Sequence, residues 1–282
     1  MIVDKITVIG LGLIGGSICS AVKKYGLAGE VVGFDTDNGA LEYALKNGFV
    51  DNCLESLNQK NDSGLVVIAT YVDRIAETVR KIAPNLNKNC IITDVGSVKS
   101  NVVESVENFL DSGPVFIGSH PIAGSEKPGI ENSDPNLFDG CNTIITPSEN
   151  TDEQSIDFIS SFWKGIGSDI LRIDPALHDR IFAYVSHLPH VAAYTLVNTL
   201  SSSDIENIFS YSGGGLRDYT RIASSSPEMW KTIFMQNKEF LLESIKEFKN
   251  NLELIESAIE EDNLNNLQTI LENAQKNKLS QE

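Results

Sequence analysis

The most constraining feature of this chain is a glycine fingerprint placed directly after its first apolar run. Lys5-Ile6-Thr7-Val8-Ile9 is short and rich in β-formers, Gly10-Leu11-Gly12-Leu13-Ile14-Gly15 follows at once, and Ile18, Ala21 and Val22 continue with helical spacing. A strand, a tight glycine turn and a helix in that order form the opening of a parallel α/β unit. Gly10 permits the turn, Gly12 lets a ligand approach the backbone, and Gly15 lets helix and strand pack closely. The first helical turn then offers amide donors and positive potential to a phosphate.

A second apolar run, Val31-Val32-Gly33-Phe34, ends in Asp35, 25 positions after Gly10 and near the interval expected for a ribose-binding acid. Together these features predict a Rossmann-type dinucleotide site. A carboxylate accepts from a free ribose 2′-hydroxyl and repels a 2′-phosphate, so NAD is favoured over NADP. Thr36 and Asp37 supply no arginine to reverse that preference. Asp35 could alternatively cap the helix that follows. The candidate cofactor residues are Gly10, Gly12, Leu13, Ile14, Gly15, Asp35 and Thr70.

Further strand and helix patterns alternate: strands at 64–69, 90–95, 115–117, 143–145 and 169–173, with helices at 74–82, 100–110 and 152–163. The repetition predicts a doubly wound sheet in residues 1–174, with mixed strand direction possible near its end. From Pro175 the pattern becomes helical, which makes 175–282 a second domain for substrate binding and dimerisation. Pro189 should break or kink the segment 176–200. Leu241, Ile245, Phe248, Leu252, Ile255 and Ile259 form an apolar seam, either intrachain core or a homodimer interface.

Composition narrows the function. In 282 residues the formal charge is −17, which argues against nucleic acid or an anionic membrane as a partner and requires any anionic substrate to meet local cations. No apolar run is long enough to span a bilayer, and no basic, apolar leader precedes the first strand, so a cytoplasmic enzyme is expected. Cys19, Cys53, Cys90 and Cys141 are scattered and read as reduced packing residues. The spacing of His187 and His190 does not build a metal site, because no further ligand matches them and Pro189 disturbs their helix. His178 is expected to be structural.

Five segments in order then carry a resemblance: the fingerprint, Asp94-Val95-Gly96-Ser97-Val98-Lys99, Gly118-Ser119-His120-Pro121-Ile122-Ala123-Gly124-Ser125-Glu126, Ser186-His187-Leu188-Pro189-His190, and Gly213-Gly214-Gly215-Leu216-Arg217-Asp218-Tyr219-Thr220-Arg221-Ile222-Ala223. Over residues 5 to about 237 the chain resembles the prephenate dehydrogenases. The resemblance implies NAD-dependent oxidative decarboxylation of an anionic cyclohexadienol, prephenate, to 4-hydroxyphenylpyruvate on the way to tyrosine. Arogenate dehydrogenase, which forms tyrosine directly, is the close alternative. A β-hydroxyacid dehydrogenase would ordinarily need a lysine in the helical domain, and an NAD-sensing module without catalysis would have no need for His120, His190 and Arg221 together.

Within that resemblance His120 is the candidate base, because a neutral imidazole can take a hydroxyl proton, and Ser97 could orient its ring. Arg221 is the candidate carboxylate anchor, with Arg217, His190, Ser125 and Trp230 as further substrate residues, although packing alone would also explain Trp230. Glu126 and Asp218 would repel a dianion and instead suit a gate or a surface cap. His187 would support the kink.

Overall fold

The computed structural model describes residues 1–110, 113–125 and 127–280. Eight strands form one sheet in the order β3-β2-β1-β4-β5-β6-β7-β8. They are β1 (Val3–Ile9), β2 (Ala28–Phe34), β3 (Asn52–Cys53), β4 (Leu65–Ile68), β5 (Ile91–Asp94), β6 (Val115–Pro121), β7 (Asn142–Thr146) and β8 (Asp169–Arg172). All neighbouring pairs are parallel except β6 with β7. The order reverses between β1 and β4, and this switch point opens a crevice at their carboxyl ends, where α/β sheets bind ligands.

The β4 run reads Leu-Val-Val-Ile because both faces are covered: Leu65 and Val67 join one apolar cluster, Val66 and Ile68 the other. α1 (Leu13–Tyr25) and α5 (Glu153–Gly165) cover the first face, with Ile18, Val22, Phe162 and Trp163 buried. The opposite face takes α3 (Ile75–Ile82) and α4 (Ser100–Glu107) through Val79, Ile82, Val102 and Val106. The helix ends differ from the sequence reading: α3 begins one residue later, α4 stops at Glu107 rather than Leu110, and α5 starts one residue later and ends two residues later.

The histidine segment differs more. It reads as a loop, yet Gly118 to Pro121 extend β6, because β7 returns antiparallel and pairs His120 with Ile144. Glycine, serine and proline conceal a strand that a partner ladder stabilises.

At Asp174 the chain leaves the sheet. Asp174 caps α6 (Pro175–Phe182) by accepting from the amides of Ala176 and Leu177. A π-helical turn (Ala183–His187) follows, then α7 (Leu188–Ser201). Pro189 is thus accommodated in the first turn of α7, where its missing donor costs little, and the expected break takes the form of the wide turn before it. The helical region continues with α8 (Gly214–Thr220), a 3₁₀ turn at Arg221–Ser224, α9 (Pro227–Gln236), α10 (Lys238–Glu260) and α11 (Leu264–Leu279).

Trp230 and Ile233 of α9 join the second core cluster of the sheet, so the two regions share a core. The seam on α10 does not close within the chain. Leu241 is buried, but Leu252 and Ile259 are 56% and 59% exposed, and Leu264 on α11 is 76% exposed. No helix among the described residues is long and apolar enough to cross a membrane.

Candidate active site

The glycine turn is shaped by contact, not only by flexibility. Gly10 has φ of +94°, and a Cβ there would lie 2.5 Å from the Ala69 carbonyl oxygen; a Cβ on Gly15 would lie 1.8 Å from that of Gly10. These contacts press β1, α1 and the end of β4 together, with Thr70 half-buried beside the turn. Leu13 and Ile14 open α1, whose N-cap Gly12 provides no side-chain acceptor.

Asp35 lies at the carboxyl end of β2. Its Oδ2 accepts from the Leu11 amide at 2.6 Å and its Oδ1 from the Asp37 amide at 2.9 Å. The carboxylate therefore faces back onto the glycine turn. The helix-capping alternative belongs to Asp37, which accepts from Gly39 at the start of α2 (Asn38–Lys46).

The half-buried His120 lies at the same carboxyl edge. Its Nδ1 is 2.9 Å from Nε2 of His178, and Nδ1 of His178 is 2.8 Å from Oδ1 of Asp179. Both imidazoles pack on Phe182, with centroids 4.8 and 4.5 Å from its ring. Burial holds the His120 pKa well below the ordinary imidazole value, with neighbouring His178 and Lys99 adding to the shift.

Here the structure corrects two expectations. Ser97, expected to orient the ring, has no hydrogen bond to His120 among the described contacts; His178 engages the ring instead. His178, expected to be structural, is the partner of the candidate base. Its signal in the sequence was slight: an adjacent His-Asp pair on the first helix after the sheet.

A fully buried ion pair supports the base from below. Lys99 donates through Nζ to Asp94 and to the Ser119 carbonyl, the latter at 2.9 Å. Asp94 also accepts from the amides of Gly96 and Ser119 at 2.8 and 3.1 Å. Desolvation lowers the Lys99 pKa, and the Asp94 charge opposes that shift. Because both ions have several partners, the pair fixes the end of β5 to β6 immediately before His120 without leaving a bare buried charge. In the sequence Asp94 and Lys99 stand only within a motif; the signal for their role is an acid at the carboxyl end of a parallel strand.

A second group lies on the helical side. His190 stacks on buried Trp230, with ring centroids 3.5 Å apart at 25°, and its Nδ1 contacts the Ser186 carbonyl at 2.9 Å, leaving Nε2 for a ligand. His187 is buried edge-on to the same indole, and its Nδ1 lies 3.0 Å from Nδ2 of Asn237. Burial lowers its pKa to about 4. Among the described residues Nε2 of His187 and Nε1 of Trp230 have no hydrogen-bond partner, although both atoms are buried.

Arg221 begins the 3₁₀ turn that packs against α7, the helix carrying His190, and its side chain is exposed. Tyr194 of α7 ties this region down by donating to the Ser225 carbonyl at 2.9 Å. The structure does not draw in the other candidates. Arg217 is exposed and reaches Ser212 at 3.4 Å, and Asp218 and Ser125 are also exposed. Glu126 lies outside the described residues.

A Rossmann-type sheet with an ordered glycine turn, a carboxylate at the end of β2, and a half-buried histidine facing a helical region defines a dinucleotide-dependent dehydrogenase of two parts. Residues 18–172 match the model described as prephenate dehydrogenase, nucleotide-binding domain, and residues 174–273 match prephenate dehydrogenase, dimerization domain. The chain belongs to the prephenate dehydrogenase family.

It is 35% identical over 270 residues to prephenate dehydrogenase of Bacillus subtilis, covering 94% of this chain and 72% of that protein. Identity to cyclohexadienyl dehydrogenase of Zymomonas mobilis is 33%, over 90% and 88% of the two chains. Prephenate dehydrogenase of Aquifex aeolicus, solved with hydroxyphenyl propionate and NAD+, superposes with a TM-score of 0.91 at 32% identity, covering 99% and 98%. Arogenate dehydrogenase of Synechocystis gives 0.83 at 27% identity, covering 99% and 100%.

Proposed function

We propose that this chain catalyses NAD-dependent oxidative decarboxylation of prephenate to 4-hydroxyphenylpyruvate, as a cytoplasmic homodimer. The observation that carries the reading is His120, a desolvated imidazole at the carboxyl edge of a dinucleotide-type sheet, with one ring nitrogen engaged and the other left for a ligand.

The residues fit NAD. A Cβ at Gly12 would meet nothing within 4 Å, so the backbone at the start of α1 is open to a pyrophosphate, and the Asp35 carboxylate at the end of β2 would accept from the hydroxyls of a ribose. Residues 1–174 would hold the dinucleotide through Gly10, Gly12, Leu13, Ile14, Gly15, Asp35 and Thr70. When bound, the nicotinamide supplies the hydride acceptor. Replacing Asp35 by Ser should narrow the preference for NAD over NADP, measured as the ratio of kcat/KM values, because the charge that repels a 2′-phosphate is removed. An unchanged ratio would move discrimination elsewhere.

His120 takes the hydroxyl proton as the ring carbon gives up hydride. The electrons of the carboxylate bond then flow into the ring as carbon dioxide leaves, and His120 returns the proton to the oxygen of the new phenol. Neutral imidazole is the form that can start this sequence, and the lowered pKa keeps it neutral. Arg221 anchors a substrate carboxylate from the helical side, His190 approaches the side chain with its open nitrogen, and Trp230 holds His190 flat. Arg217 attracts the other carboxylate or shapes the entrance, Ser125 contacts the substrate, and Asp218 serves as a gate residue.

The exposed apolar residues of α10 and α11 support residues 175–282 as the dimer contact, in keeping with the dimerization model matched there. A charge of −17 makes nucleic acid an unfavourable partner. Turnover tests the proposal: the purified chain with NAD and prephenate should yield NADH, carbon dioxide and 4-hydroxyphenylpyruvate in equal amounts. NAD binding without turnover of any cyclohexadienol would contradict it and favour a sensing module.

A further inference from the structure

We infer that His178 and Asp179, on the first helix of the helical region, set the tautomer of His120 and are positioning residues for the base. The inference rests on the assignment of His120 as that base.

It starts from Asp179. Burial works against its charge, but the bond from His178 and the amides of Lys99 and Ser100, at 2.7 and 2.8 Å, outweigh that effect and keep its pKa below the ordinary value. An ionised carboxylate only accepts, so the facing Nδ1 of His178 carries the proton. Burial lowers the pKa of His178, against the pull of Asp179, and leaves the ring neutral. Its Nε2 is therefore bare and accepts from Nδ1–H of His120 across 2.9 Å. One tautomer of His120 satisfies that bond, with Nε2 unprotonated. This is the nitrogen a base needs, and the two steps from Asp179 prescribe it.

The chain of bonds crosses between the two parts of the molecule. His120 belongs to β6, whereas His178 and Asp179 belong to α6, and Asp179 accepts the two amides at the start of α4. Asn237, at the junction of α9 and α10, donates to the Asp179 carbonyl at 2.7 Å and reaches His187. Seating α6 against the sheet is thus the same event as preparing the base. When His120 is protonated during turnover, Nδ1–H still points at an acceptor backed by a carboxylate, which supports the imidazolium without leaving a buried cation alone.

The other groups around this chain do not change the assignment. Lys99 acts on both imidazoles in the direction that keeps them neutral, and it is paired with Asp94; His187 acts on His120 in the same direction. Phe182 stacks on His178 at 23° and excludes solvent from the bond between the imidazoles.

The test is carried by His178, since Asp179 also caps α4 and its replacement would disturb the fold. His178→Gln offers an amide oxygen that can accept from Nδ1–H of His120, whereas His178→Phe keeps a flat ring and offers no acceptor. With NAD and prephenate, His178→Phe should lose about 100-fold or more in kcat while KM for both substrates stays within about threefold, and His178→Gln should retain kcat within about tenfold of wild type. A merely structural role would make the two variants lose kcat together, with raised KM and reduced thermal stability. Equal losses in both variants, or a His178→Phe enzyme with kcat within about threefold of wild type, would overturn the inference. If His178→Phe does not fold, the pH profile of His178→Gln decides: an acid limb and kcat near wild type support it, and a kcat loss of about 100-fold with unchanged KM contradicts it. Should wild type itself fail to oxidise prephenate, the assignment of the reaction fails, a result distinct from any pattern among the variants.

Discussion

Replacing His120 by Asn is expected to lower kcat for prephenate oxidation by about two orders of magnitude or more, within the range for losing general-base assistance, while NAD binding and thermal stability change little. The side chain is half-buried at the end of β6, and the core beneath it is carried by Ser119, Lys99 and Asp94, which the substitution leaves in place. Asparagine can still donate to His178 but cannot hold the substrate proton. The pH dependence provides an independent reading. Because the folded pKa of His120 is depressed, the neutral, active form persists as pH falls through the ordinary imidazole range near 6.5, and protonation removes it only below that. Wild-type kcat/KM should therefore have its acid limb below pH 6.5, and the residual activity of His120→Asn should lack that limb. Near-normal turnover, or an unchanged acid limb in the variant, would remove His120 from the mechanism.

The second large effect concerns Arg221. Prephenate carries two carboxylates, and a protein of charge −17 needs a fixed cation to receive either. Arg221 is placed by the 3₁₀ turn against α7, and the Tyr194 to Ser225 bond anchors that turn beside His190 and Trp230. Arg221→Gln removes charge and fork together and should cost roughly 1.5 to 3 kcal/mol, or about 10- to 150-fold in kcat/KM for prephenate. Arg221→Lys keeps the charge but loses the planar pair of donors, so it should fall between wild type and glutamine. NAD affinity, measured separately, should not follow either loss. If both variants kept wild-type constants for prephenate while remaining folded, Arg221 would not be the anchor.

What the sequence disclosed followed the range of the interactions involved. The glycine turn and Asp35 were legible because strand, turn and helix are adjacent in the chain, and the carboxylate meets the turn only 24 residues away at Leu11. The change to helix at Pro175 was legible from period alone, and its cap Asp174 lies next to it. The partner of His120 was not, since His178 lies 58 positions away and no local pattern announces which buried polar groups will face each other. Ser97 was a reasonable candidate because it follows a strand, but Asp94 and Lys99 are the residues that reach β6 from that segment. The strand character of Gly118 to Pro121 was hidden for a related reason: it depends on pairing with β7, more than twenty residues further on. The seam on α10 was visible as a period, while its exposure required the fold.

The central claim is the identity of the ring substrate, because this chain is similar to relatives named for prephenate, for arogenate and for cyclohexadienyl substrates alike. The two substrates differ in one place: prephenate has a keto acid side chain, and arogenate has an ammonium there. His190, with its lowered pKa, meets the keto acid side chain as an uncharged ring with an open nitrogen, whereas an ammonium would gain from a nearby carboxylate. The most direct measurement is kcat/KM for prephenate and for arogenate with NAD on the same preparation, with carbon dioxide and NADH followed together. A higher value for prephenate, with one carbon dioxide released per NADH, is the result this account expects; turnover of arogenate alone, or NADH formation without carbon dioxide, would contradict it.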